Sequence, residues 1–123
     1  MNAVRRVLAS SLALVALTAA GGAAGSTVHL VISPSIVHRG GTVHIRGNAD
    51  GCSRGNTVFV ISRAFVHTRE FAGVSAVLAR VRAGGAFRAT TVIPRTRRPG
   101  RYNVTARCGG GNLGVLVHLT VRR

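Results

Sequence analysis

The stretch Arg101-Tyr102-Asn103-Val104-Thr105-Ala106-Arg107-Cys108 alternates small polar or charged residues with apolar ones. Tyr102, Val104, Ala106 and Cys108 fall on one side, and Arg101, Asn103, Thr105 and Arg107 on the other. A period of two is the mark of a strand with one face in a core and one in water. Gly109-Gly110-Gly111 follows as a turn, and Leu113 to Val121 repeats the alternation, with Val115, Val117, Leu119 and Val121 inward. The two runs read as a hairpin, and they fix an all-β reading for the chain.

Upstream, the same grammar recurs every 8 to 15 positions or so. Ala86 to Ile93 is a strand stopped by Pro94, and it follows Ser75 to Arg82 across the turn Ala83-Gly84-Gly85. Val77, Ala79 and Val81 share one face of the earlier run, with Arg80 and Arg82 on the other. Thr57 to Arg63 reads as a strand buried on both faces. Phe65 to Gly73 is irregular, with room for an edge strand. Thr42 to Gly47 sets Val43 and Ile45 inward and His44 and Arg46 outward. Thr27 to Ser33 is the first strand, ended by Pro34. Seven short runs with glycine-rich turns and β-branched cores predict a single β-sandwich. A chain of 123 residues leaves room for one such domain.

The N-terminus carries a different signal. Arg5 and Arg6 precede an uncharged apolar run from Val7 to Ala20, and small residues, Gly21 to Gly25, follow. That is the three-part pattern of a cleaved signal peptide. It divides the chain into a leader, 1–25, and a domain, 26–123. The run is shorter than the roughly 20 residues a membrane span needs, so no transmembrane segment is expected in the mature chain. Secretion is expected, with cell-wall association as a further possibility. Cys52 and Cys108 are the two cysteines of the chain. An even count in an exported domain points to one disulfide between them. Two lone thiols without close spacing make a poor zinc site.

Charge is the oddest feature. All 17 basic residues are arginine, against Asp50 and Glu70 alone. Without Arg5 and Arg6 the domain keeps 15 basic and 2 acidic residues, a net +13. A GC-rich genome accounts for arginine in place of lysine but not for the scarcity of acids. A surface this basic attracts polyanions. The densest cluster is Arg95, Arg97, Arg98 and Arg101, bent by Pro99-Gly100. Arg80, Arg82 and Arg88 lie on the outer face of the adjoining hairpin. Guanidinium groups bind phosphate and carboxylate bidentately, so these seven are the candidate anion-binding residues. Sequence-specific nucleic-acid binding is disfavoured, because base stacking needs exposed aromatics, and the four Phe and Tyr102 read as core.

Catalysis is not expected. Asp50 reads as a turn residue and Glu70 as an ion-paired surface group, and neither sits in an acid/base arrangement. No serine occupies a nucleophile elbow and no thiol is spare. His29, His44 and His118 face outward on the first, second and last strands, where two meeting imidazoles would bind zinc or copper weakly. Histidine gains charge in mild acid, which would strengthen anion binding. Neither a cofactor nor a resident metal is expected, and a monomer is.

Pro34-Ser35-Ile36-Val37-His38-Arg39-Gly40-Gly41-Thr42-Val43, the later Gly84-Gly85-Ala86-Phe87 and the Pro99-Gly100-Arg101-Tyr102-Asn103-Val104 strand closing on Cys108 resemble small exported immunoglobulin-like domains of high-GC actinobacteria. The resemblance spans about Val28 to Val121. It implies an immunoglobulin-like sandwich that acts as a spacer, wall-associated module or binding domain. The chain departs from antibody-type domains in having no Trp, and in placing Cys52 in the loop after the second strand. The bridge is therefore expected to pin a loop to one end of the domain. Two functional readings follow. One is an interaction domain gripping an anionic cell-wall polymer through arginine. The other is a structural or protein-partner-binding module whose charge is incidental.

Overall fold

The computed structural model describes residues 28–123. The expected signal peptide lies outside the described residues. Nine strands and one short 3-10 turn make up the described chain: β1 (His29–Ser33), β2 (Ile36–His38), β3 (Thr42–Asn48), β4 (Thr57–Ile61), β5 (Glu70–Phe71), β6 (Val74–Arg80), the turn Ala83–Gly85, β7 (Ala86–Val92), β8 (Gly100–Cys108) and β9 (Gly111–Arg122). They form two sheets. One has three strands in the order β1-β3-β7, and the other six in the order β2-β9-β8-β4-β6-β5.

The alternation read in the sequence is the alternation of burial. In β3, Val43, Ile45 and Gly47 are buried while Thr42, His44 and Arg46 are exposed. In β8, Val104 and Ala106 are buried between exposed or half-buried neighbours. These faces meet in one core, where Leu30, Ile32, Val43, Ile45 and Phe87 of the smaller sheet pack with Val58, Val60, Val104, Leu119 and Val121 of the larger. Burying aliphatic side chains of this size stabilises the fold by about 1.5–3 kcal/mol each before entropy is counted.

Three points differ from the reading of the sequence. Ser75 to Arg82 and Ala86 to Ile93 are not partners in one hairpin: β6 pairs with β4 and β5, whereas β7 pairs with β3 in the other sheet. The Ala83–Gly85 turn therefore carries the chain across the core. Gly84 and Gly85 hold φ of 76° and 85° there, which glycine adopts without penalty. Second, the chain changes sheet after Pro34: β1 lies against β3, but β2 runs parallel to the end of β9. Third, β4 is covered fully on one side only. Val58 and Val60 are buried, and Thr57, Phe59 and Ile61 are half-buried. Phe71 of the edge strand β5 lies 5.4 Å from Phe59, ring centre to ring centre.

The disulfide joins Cys52, in the loop after β3, to Cys108, the last residue of β8. It ties a connection of the smaller sheet to the larger one at one end, and both cysteines are half-buried.

Gly47 marks the tightest point of the smaller sheet. A methyl group there would meet the His29 carbonyl oxygen and the Phe87 ring. One obstacle is backbone and the other a buried ring, so neither yields easily. We expect Gly47→Ala to cost about 1–3 kcal/mol, the usual range for overpacking, read as a lower midpoint in urea unfolding. A change within about 0.5 kcal/mol, typical of surface substitutions, would show that Phe87 repacks freely.

Candidate functional site

The candidate arginines and their neighbours fall into three groups. The first is the loop after β7. The Arg97 amide donates to the Pro94 carbonyl and closes a turn. The Arg97 side chain folds inward, half-buried, and its Nη2 donates to the Phe65 carbonyl at 3.0 Å. Arg97 is thus a strut between two irregular segments and not a free anion donor. The Arg95 stem lies alongside Gly40, with Cγ 3.0 Å from the place a Cβ would take. Arg98 is exposed, and its carbonyl accepts the Tyr102 hydroxyl at 2.6 Å. Arg101 is exposed on β8 and lines a depression with Asn103, Thr105 and Arg63. Of the predicted cluster, Arg95, Arg98 and Arg101 are exposed residues.

The second group is the larger sheet's outer face. Arg80 stands opposite Thr57 there. Arg107 is committed: its guanidinium carbon sits 4.9 Å from the Phe71 ring centre, and its Nη2 donates to the Gly110 carbonyl at 2.6 Å.

The third group is on the opposite side of the molecule. Arg88 of β7 stands directly across from Arg46 of β3. The shared hairpin face expected for Arg80, Arg82 and Arg88 is therefore split. Arg80 is on one sheet and Arg88 on the other, with Arg82 at the crossing between them. Arg46 was visible in the sequence as an outward residue, but nothing local tied it to Arg88. The pairing depends on a register between strands some forty residues apart.

Around this pair the outer face of β1-β3-β7 mixes polar groups with Val31, which stands across from Arg46 on β1. Ser33, His44 and Thr90 border Arg46 and Arg88 in an open depression of about 660 Å³. His44 Nδ1 lies 3.3 Å from the Thr90 hydroxyl. A second, smaller depression of about 190 Å³ is lined by Arg46, Arg88, Arg82 and His29. Like charges directly opposite in a sheet destabilise it. Among the described residues neither guanidinium has a hydrogen-bond or ion-pair partner to offset this.

The outward histidines of β1, β3 and β9 do not converge on one site. His29 is level with Asn48, and His44 with Ser33, at opposite ends of the β1–β3 ladder. That separates them by about 13 Å at the rise of a strand. His118 lies opposite Asn103 in the other sheet. Among the described residues no three His, Cys, Asp or Glu side chains are grouped to hold a metal. His67 does have company: its Nε2 is 3.2 Å from Glu70 Oε2 and its Nδ1 is 3.0 Å from the Ser75 hydroxyl. Ser75 is 7% exposed on a regular strand, so the trio fastens the 63–69 segment to β6. Glu70 meets His67 and not its neighbour Arg69.

No protein-family model matches the chain, and no curated protein matches it in sequence. Among solved structures it is similar to the Pseudomonas fluorescens alkylpurine DNA glycosylase AlkC bound to DNA containing an abasic site analog. The identity is 18% and the TM-score 0.53, over 78% of this chain and 30% of that one. The chain thus spans less than a third of that protein's length. At this identity the likeness concerns the fold alone. Among the described residues no helix is long and apolar enough to cross a membrane.

Proposed function

We propose that this protein is an exported, non-catalytic immunoglobulin-like domain that binds an anionic cell-envelope polymer through arginine. The fold assignment draws support from the strand order. The sheet β1-β3-β7 corresponds to strands A, B and E of an immunoglobulin domain, and β9-β8-β4-β6 to G, F, C and C′. The Tyr102 hydroxyl, bonded to the Arg98 carbonyl four residues upstream at the start of β8, has the form of a tyrosine corner. The position of a core Trp on strand C is taken by small aliphatics, Val58 and Val60.

One observation carries the functional reading. Among the described residues the one contact between a basic and an acidic side chain is His67–Glu70, so no described arginine is paired with a carboxylate. The surface charge is left uncompensated within the fold. Compensation from outside is then the favourable event, and a polyanion releases counterions as it supplies it.

Retention on purified cell wall tests this. The disulfide-bonded protein should sediment with the wall at about 50 mM salt and be released by about 200 mM, because several phosphate contacts together lose about 10³-fold or more across that interval. Retention unchanged by salt would point to an apolar or protein contact instead. No retention at either salt would favour the partner-binding module with incidental charge.

A further inference from the structure

We propose that the outer face of the β1-β3-β7 sheet is a phosphate-binding site centred on Arg46 and Arg88, which grips consecutive phosphates of a polymer chain. This rests on the anion-binding reading above and gives it a place and a ligand chemistry.

Three features converge there. Arg46 and Arg88 are cross-strand partners, both exposed and both without an acceptor among the described residues. A carboxylate carries one charge and two coplanar oxygens, which match one fork. A chain of phosphates carries a charge and two unbridged oxygens on each unit, so neighbouring units can meet Arg46 and Arg88 separately. The Ser33 hydroxyl borders the same depression and can donate to a phosphate oxygen, while the Thr90 hydroxyl is engaged with His44.

The negative side of the ledger agrees. Asp50 sits in the loop beyond β3, and Glu70 is held by His67 on the other sheet. No carboxylate therefore competes for this face from β1, β3 or β7, whose outward groups are neutral or basic.

The face also continues. Arg46 and Arg88 line the second depression too, where Arg82 joins them. The Arg82 amide donates to the Ala86 carbonyl at 2.8 Å, which fixes this arginine at the start of β7. Three arginines thus border one depression, which suits a chain of phosphates better than a lone ion.

Titration of the ¹⁵N-labelled, disulfide-bonded protein with inorganic tripolyphosphate, orthophosphate and acetate, read at the arginine Nε–Hε resonances, tests the site. Tripolyphosphate should shift Arg46, Arg88 and Arg82 at concentrations that leave Arg95, Arg98 and Arg101 unmoved. R46Q/R88Q should weaken its binding about tenfold or more, as expected for losing charge-assisted hydrogen bonds. R95Q/R98Q/R101Q should change it less than the sheet variant does. Shifts concentrated at the 95–101 loop would overturn the location while leaving the anion reading intact. Acetate binding as tightly as the phosphates would overturn the ligand chemistry. Orthophosphate binding as tightly as tripolyphosphate would overturn the polymer. No shift with any anion would remove both this site and the function it refines. The wild-type shifts decide the location even if a variant fails to fold.

Discussion

Cys52→Ala/Cys108→Ala is expected to lose about 4 kcal/mol of unfolding free energy, and about 20 °C of melting temperature in a domain of this size. The bridge spans 56 residues of sequence. Closing so long a loop removes a large share of the unfolded chain's freedom, and that is where a disulfide acts in the chain-entropy account. The folded state gains as well. Cys52 packs against the core, and its amide donates to the buried Ala49's carbonyl at 2.9 Å, so the bridge holds a loop that is already turned inward. Because the effect lies mostly in the unfolded state, the variant should also show a steeper denaturant dependence, as its unlinked chain exposes more surface. Urea unfolding of the oxidised protein and the double variant, side by side, measures both quantities. A loss under about 1 kcal/mol with an unchanged slope would mean that the two ends stay together without the bond.

How much of this was legible in the sequence differs from element to element. Period-two patterns in β3, β8 and β9 showed which side chains face the core, because a strand places alternate residues on opposite faces wherever it lies. They said nothing about which strand lies beside which. Arg80 and Arg88 flank a Gly-Gly turn between two alternating runs, which is the local picture of a hairpin. A turn that crosses between sheets has the same local picture, because polar residues face outward on both sheets. β2 went unread for another reason. With three residues after a proline, it is too short to show a period. The site suffered most. Arg97 looks like any arginine in a basic loop until the Phe65 carbonyl, 32 residues away, is brought against it. Arg46 and Arg88 become neighbours only once β3 and β7 adopt their register. Composition gave the charge, but tertiary pairing decided which arginines remain free to use it.

Phe65→Ala should be as damaging as losing the disulfide, at about 3–5 kcal/mol. Phe65 is fully buried although it lies outside any strand, between β4 and β5. Its amide donates to the Ser62 carbonyl at 3.3 Å, and the Ala64 amide to the Ser62 hydroxyl at 3.1 Å. This local knot is built to turn the ring inward. Truncation leaves a cavity the surrounding strands cannot fill, since their positions are fixed by ladder hydrogen bonds. The same residue's carbonyl receives Arg97, so the damage should extend to the 94–100 loop. Arg97→Ala alone should cost about 1–3 kcal/mol, because it leaves that carbonyl without its partner. Residues that share a contact do not act independently. With the ring gone the segment is free to turn the carbonyl to water, and the second substitution then costs less than it does in the intact protein. Urea unfolding of the two single variants and the double variant gives the coupling directly. Strict additivity would mean that Arg97 braces the loop without help from the buried ring, and that the loop's arginines are positioned by β8 alone.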